Sequence, residues 1–235
     1  MSKVKMQTIP NLLESSHLHQ SALVDVNKHY NAWSYNVADH LKGMSVAEIK
    51  SHLQKTANPF AVCMEHLIGD FNFGTVIRNA NAFNAIEVFY VGDKKWDRRS
   101  AVGVHNYTEV KWIERLEDFI ALKDKYTIIG IDNIPGQSVP LSSFHFTPNT
   151  LLVFGEEGVG LTPVMQSLCT AIVEIEQFGS VRSLNVGVAS GIIMHQFISQ
   201  KGSIGPSFSK IRATSDVATN CCHALSVDSE RLYLE

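Results

Sequence analysis

Val181-Arg182-Ser183-Leu184-Asn185-Val186-Gly187-Val188-Ala189 joins a glycine-broken loop, Phe178-Gly179-Ser180, to an apolar run from Val186 to Phe197. That run predicts a long helix, from about Leu184 to Gln200. Arg, Ser and Asn crowd its entry. A helix start exposes unpaired N–H groups and the positive end of the helix dipole, so it is a natural seat for a polar ligand. Taken alone, Ser183 and Asn185 are equally the residue types that cap a helix, and Arg182 is equally a surface charge. Two other stretches, 72–83 and 154–161, repeat the design of polar residues and glycines opening onto an apolar segment. Three such entries imply a ligand pocket built from loops at strand ends.

Working outward from that stretch, the chain alternates short apolar runs with helical segments. Strands are predicted at Phe60 to Leu67, Ile86 to Val91, Val110 to Ile113, Tyr126 to Ile131, Thr150 to Phe154 and Ala171 to Ile175. Helices are predicted at Gly74 to Phe83, Leu116 to Lys125 and Pro163 to Leu168. Buried β-rich runs that alternate with helices imply an α/β fold, a mostly parallel sheet with helices on both faces. Residues 1–57 read as a polar, helical N-terminal extension. Within it Ser45 and Glu48 form a capping-box pattern ahead of VAEIKSHLQK. A central domain then spans 58–202. The tail, 203–235, is Ser/Thr-rich with a short helical stretch at Ser215 to Leu225.

The 235 residues are enough for one substantial core with a small appendage. A net charge of −3 argues against a protein that coats nucleic acid by bulk attraction, and leaves room for a local basic site. No apolar run is long enough to span a membrane; the one around 186–198 is interrupted by glycine, Ser190 and His195. The first twenty residues hold no apolar leader. Cys63, Cys169, Cys221 and Cys222 show neither a metal-ligand spacing nor a disulfide framework. The expectation is a cytoplasmic protein with reduced thiols and no metal. The ten histidines are scattered, and none is assigned to catalysis.

Three segments carry candidate chemistry. In the first, Asn72 stands at a helix start and Arg78 follows six residues later; an Arg fork suits phosphate or carboxylate. In the second, a strand ending at Phe154 runs straight into Gly155-Glu156-Glu157-Gly158-Val159-Gly160. Its glycines let the backbone approach a ligand closely. It is not the dinucleotide fingerprint, because G-x-G-x-x-G is absent and two carboxylates occupy the loop, which disfavours a nucleotide-dependent oxidoreductase. The third is the opening stretch. Separately, Lys94-Lys95-Trp96-Asp97-Arg98-Arg99 sets cations around an aromatic ring, a pattern shared by solvated turns and by nucleic-acid sites.

In order and spacing, these three segments resemble the motifs of the SpoU/TrmH-type RNA 2′-O-ribose methyltransferases of the SPOUT superfamily. Asn72 and Arg78 match the first motif. Gly155, Glu157 and Gly160 match the second, and Ser183, Leu184, Asn185, Val186, Val188 and Ala189 the third. The resemblance covers about residues 60–200 and implies a C-terminal deep trefoil knot, an exception to the rule against knotted chains. It implies S-adenosylmethionine (SAM) held in the knot by Phe154, Gly155, Gly160, Ile175, Gln177 and Leu184. It also implies a homodimer in which Arg78 reaches the partner's cofactor, with Asn72, Glu157, Ser183 and Asn185 arranging the site. RNA, as tRNA or rRNA, is the implied substrate, and Lys94, Lys95, Arg98, Arg99 and Arg182 are the candidate contacts to it. The alternative is a SAM- or RNA-binding module without turnover. Two positions depart from the family pattern: Glu176, where the approach to the third motif carries a charge, and Gly187, where a serine is common.

Overall fold

The computed structural model describes residues 37–65, 70–93 and 95–200. The expectations for 1–36, for Lys94 and for the tail, including the helix at Ser215 to Leu225, fall outside the described residues. Seven strands form one sheet: β1 (Asn58–Glu65), β2 (Ala85–Val91), β3 (Val110–Ile113), β4 (Thr127–Ile131), β5 (Ser138–Pro140), β6 (Thr150–Phe154) and β7 (Ala171–Glu174). Their spatial order is β3-β2-β1-β6-β4-β7-β5, and every neighbouring pair is parallel. The α-helices are α1 (Val46–Lys55), α2 (Asp70–Ala82), α3 (Leu116–Ile120), α4 (Pro163–Leu168) and α5 (Val186–Gln200).

The central strands explain why the sequence reads as apolar runs. β1 and β6 have neighbours on both sides and helices over both faces, so successive side chains are buried from Phe60 to Glu65 and from Thr150 to Phe154. Phe60, Val62 and Met64 of β1 join Leu152 and Phe154 of β6 on one face. There they meet Phe73, Val76, Ile77 and Ala80 of α2 and Ile193, Met194 and Phe197 of α5. The spacing of those four α2 residues is the stripe of a helix with one buried face. Ala61, Cys63, Leu151 and Val153 point the other way, onto Phe119 of α3 and Met165 of α4. Each fully buried large side chain, such as Phe60, Phe154 or Phe197, contributes on the order of 1.5–3 kcal/mol.

Several boundaries differ from those predicted, each for a local reason. α2 starts at Asp70 rather than Gly74, because the polar DFN segment is accepted as a first turn, with Thr75 Oγ1 donating back to the Phe71 carbonyl at 2.8 Å. The predicted helix over Leu116 to Lys125 is α3 followed by a 3₁₀ turn, Ala121–Asp124. α5 starts at Val186, since Asn185 is spent as its cap: Asn185 Oδ1 accepts from Val188 N at 3.3 Å. β1 ends at Glu65, whose carboxylate is buried and accepts from the Thr162 N–H and hydroxyl at 3.0 and 2.5 Å. The edge strand β5 went unpredicted; three residues with only Val139 apolar give no period to read. The Ser45–Glu48 capping box is present as predicted.

α2 and α5 cross closely through small residues. Asn79 Nδ2 donates to the Gly187 carbonyl at 2.8 Å and to Ser190 Oγ at 2.9 Å. A Cβ on Gly187 would lie 2.8 Å from Thr75 Cγ2, so a serine there would require Thr75 to move. The departure at Gly187 therefore belongs to helix packing.

On the sheet's other side, Glu87 of β2 accepts from Lys111 Nζ at 2.7 Å, from Lys125 Nζ at 2.5 Å and from the Tyr126 hydroxyl. Burial alone would push this carboxyl up, but the three donors outweigh it and hold it at about 2. A depressed carboxylate stabilises the fold above its unfolded value, near 4.5, and that stability is lost as pH falls toward 2. Glu87→Gln is expected to cost about 2 kcal/mol at neutral pH. It should also flatten the loss of stability between about pH 4.5 and 2, as read from urea unfolding at stepped pH. A loss as steep as in the unmutated chain would assign it to other carboxylates.

Candidate active site

The carboxyl ends of β4, β6 and β7 open onto one cavity of about 420 Å³, walled by segments 131–135, 154–160, 175–177 and 182–189. That is where open parallel α/β sheets place ligands, because the loops there diverge over exposed strand ends. Its volume lies within the roughly 300–1,000 Å³ of small-molecule sites.

The first wall follows β6. Glu156 and Gly160 exchange backbone hydrogen bonds, at 3.2 and 2.8 Å, and close G-E-E-G-V-G into a tight loop. A Cβ on Gly155 would sit 2.3 Å from the carbonyl carbon of Gly160, backbone against backbone, so the loop closes only on glycine. Gly160 has φ +73°, and a Cβ there would strike the Asp132 carboxylate. Asp132, at the end of β4, fastens the loop: it accepts from Leu161 N at 2.8 Å and, through its other oxygen, from Asn133 N at 2.8 Å.

The opening stretch of the sequence supplies the opposite wall. Asn133 Nδ2 donates to the Arg182 carbonyl, holding that segment over β4. Asn185 caps α5 with its oxygen, while its amide donates to Asn72 Oδ1 at 2.8 Å. Asn72 in turn donates through its own amide to Glu157 Oε1. A single hydrogen-bonded chain, Asn185 to Asn72 to Glu157, thus ties the three segments singled out in the sequence. Cap and site are the same asparagine. Two buried atoms in this cluster, Glu157 Oε2 and Gln177 Oε1, have no hydrogen-bond partner among the described residues. Buried polar atoms are rarely left so, and both residues line the cavity.

The predicted residues fall as follows. Phe154, Gly155, Gly160, Ile175, Gln177 and Leu184 all line the cavity, as do Glu157, Ser183 and Arg182. Asn72 and Asn185 join through hydrogen bonds. Arg78 does not line the cavity. Six residues along a helix rotate it about 120° away from Asn72, and it is exposed beside the similarly exposed Phe71 and Ala82. Lys95 and Arg98 line a different cavity, and Arg99 pairs with Asp97 at the protein surface. Glu176 is turned aside: Ser142 N donates to its carboxylate at 3.3 Å, and the Ser142 hydrogen bonds hold that carboxyl below its usual range.

Sequence reasoning missed Asp132 and Asn133. The signal was an Asp-Asn pair at the carboxyl end of a predicted buried strand, Tyr126 to Ile131, which in a parallel sheet is a site position.

Fold and site together define a ligand-binding domain of the doubly wound parallel class, with its pocket built from three polar, glycine-containing loops. Residues 59–195 match the SpoU rRNA Methylase family, and the chain belongs to it. Among curated proteins it is 29% identical to the tRNA (guanosine(18)-2′-O)-methyltransferase of Escherichia coli K12 over 163 residues, 68% of this chain and 71% of that one. It is 25% identical to the 23S rRNA (guanosine-2′-O-)-methyltransferase RlmB of Pasteurella multocida, over 68% of each chain. The crystal structure of Aquifex aeolicus TrmH/SpoU tRNA modifying enzyme shares the fold at TM-score 0.60 and 21% identity, over 67% of this chain and 82% of that one. The SpoU methyltransferase AviRb from Streptomyces viridochromogenes, solved with the cofactor AdoMet, aligns at TM-score 0.55 and 25% identity, over 62% and 59%.

Proposed function

We propose that this chain is an SAM-dependent RNA methyltransferase acting on a ribose 2′-hydroxyl of tRNA or rRNA. The observation that carries the reading is the Asn185–Asn72–Glu157 hydrogen-bonded chain, which fuses three sequence motifs at the mouth of one cavity. The family and the named activities of its relatives support the same reaction.

The residues present fit the cofactor. SAM carries an adenine amino group, ribose hydroxyls and a positive sulfonium. The cavity offers an orphaned Gln177 carbonyl, carboxylates at Glu156 and Glu157, and apolar flanks at Phe154, Ile175 and Leu184. Gly155, Gly160, Ile175 and Leu184 would hold it, chiefly through backbone groups. When bound, SAM supplies an electrophilic methyl group.

The chain's own residues then prepare the ribose. A 2′-hydroxyl is a poor nucleophile until its proton is removed or strongly polarised. An arginine's planar fork of donors matches phosphate oxygens, so the role of Arg78 is to grip the phosphate next to the target ribose and stabilise the developing alkoxide. A phosphate oxygen or water takes the proton. Ser183 and Asn185, at the cavity mouth, orient the ribose, and Asn72 and Glu157 fix Asn185. Holding the reacting atoms in line contributes much of the rate.

We infer a homodimer and a knotted C-terminal segment. Support for the dimer is Arg78 itself, exposed and turned from its own cavity. With it goes an exposed apolar surface on α2 and α5, Phe71, Val188 and Ile192 at 85%, 55% and 38%. Support for the knot is that 182–189 is clamped over the end of β4 by Asn133 while β6 lies between β1 and β4. Within the division into 1–57, 58–202 and 203–235, α1 belongs to the extension and packs on the domain through Asn84, whose amide donates to Leu53 O and Thr56 Oγ1. A cytoplasmic location is part of the same proposal, supported by the RNA-modifying names of its bacterial relatives.

The test is incubation of the purified chain with methyl-labelled SAM and total tRNA or rRNA. Label should enter RNA and survive alkaline hydrolysis as a dinucleotide, because a methylated 2′-oxygen cannot attack the neighbouring phosphate. Binding of SAM and RNA without label would leave the non-catalytic module, and binding of neither would sink the reading.

A further inference from the structure

A second cavity, of about 670 Å³, lies toward the β3 side of the sheet and shares no lining residue with the first. Lys50 of α1, Tyr90 of β2, and Lys95, Trp96, Arg98 and His105 of the β2–β3 connection line it. Among the described residues no carboxylate does. Lys50, Lys95 and Arg98 form no ion pair among the described residues, and the acid between the latter two, Asp97, is engaged by Arg99. The aromatic lining is held by the core: Trp96 packs on Phe73 at 4.7 Å between centroids, Phe73 meets Tyr90 edge-on at 5.2 Å, and Trp96 meets His105 at 6.0 Å. Burial, and then the Arg98 charge, hold the His105 imidazole below its usual range. Its buried Nδ1 has no hydrogen-bond partner among the described residues.

Uncommitted cations around fixed rings, with a polar ring atom awaiting a partner, are the complement of phosphates joined to a planar, hydrogen-bonding base. The net charge of −3 means that bulk attraction does not bring phosphates to this protein, so a local cluster must. We propose that this cavity binds a nucleotide of the RNA substrate other than the one that is methylated, and that Lys50 grips its phosphate. The proposal rests on the reading of the chain as an RNA methyltransferase. Because α1 precedes residue 59, where the family match begins, the pocket is a composite of the family domain and this chain's own N-terminal segment.

The experiment uses the full chain and unfractionated tRNA, with affinity followed across a salt series and SAM binding followed by calorimetry. Lys50→Ala, a mild change on an exposed helix, and Arg98→Ala should each weaken tRNA binding about tenfold. Each should also lower the slope of log affinity against log salt by about 0.7–0.9. Lys123→Ala, exposed and outside both cavities, should change neither, and SAM affinity should hold in all three. Unchanged tRNA affinity and slope in both Lys50→Ala and Arg98→Ala would overturn this proposal alone. So would adenosine 5′-monophosphate binding that Lys50→Ala abolishes while tRNA affinity stays intact, which would assign the pocket to a free nucleotide. A wild-type chain that binds SAM but no tRNA or rRNA would overturn the proposed function itself.

Discussion

Arg78→Ala is expected to lower methyl transfer by about 100- to 1,000-fold while leaving SAM affinity at the wild-type value. The separation follows from position. Arg78 sits about a third of a turn from Asn72 on α2, is exposed, and does not line the cavity at the ends of β4, β6 and β7. Removing it takes nothing from that cavity and, on the proposed function, takes a phosphate-gripping fork from the RNA. Arg78→Lys keeps the charge and loses the planar pair of donors, so it should retain measurable activity below wild type. Full turnover by Arg78→Ala would remove Arg78 from the catalytic machinery. A parallel loss of SAM binding would mean that the residue shapes its own cavity after all.

Gly155→Ala should have the opposite signature. The added methyl would meet the Gly160 carbonyl carbon at 2.3 Å, the Gly160 carbonyl oxygen at 2.5 Å and Leu161 N at 2.5 Å. None of these atoms is the end of a flexible side chain, so the loop itself must open. Opening it breaks the paired Glu156–Gly160 hydrogen bonds and pulls on the Asp132–Leu161 bond. SAM affinity should fall at least about a hundredfold, equivalent to roughly 2.7 kcal/mol, and stability by about 1–3 kcal/mol. Calorimetry and urea unfolding read the two separately. Near-normal SAM binding by a folded Gly155→Ala chain would show that this loop does not hold the cofactor.

The pair also tests the dimer. If Arg78 serves the partner's cavity, subunit exchange between Arg78→Ala and Gly155→Ala brings an intact Arg78 to an intact cofactor loop in the mixed dimer. Activity should then return on mixing two nearly inactive proteins. No recovery, with exchange verified by mass, would confine Arg78 to its own subunit.

Much of the architecture was legible because it follows from local chemistry. Parallel strands covered on both faces must be apolar throughout, so β1 and β6 stand out as runs, and β3, β6 and α4 match the predicted limits. Capping has a short-range grammar, hence Ser45 and Asn185. Where a signal was shared by two outcomes, the limits slipped. A polar first turn looks like a loop, so α2 began late, and a three-residue edge strand carries no period, so β5 was passed over.

For the site, the sequence determined which residue types stand in each segment, and ordered motifs sufficed to name the family. Only the tertiary structure decided their relations. Asn72, Glu157 and Asn185 are up to 113 positions apart, and no local pattern states that they share one hydrogen-bonded chain. Nor does any pattern reveal that Asp132 and Asn133 clamp two of the loops, that Glu176 bends to Ser142, or that Lys50 and Trp96 line one second cavity. The physical reason is range. Periodicity, caps and turn chemistry act over a few residues, whereas a parallel sheet brings distant strand ends side by side. The close fits there, Gly155 on Gly160 and Gly187 on Thr75, are set by packing between segments that meet only when the sheet is assembled.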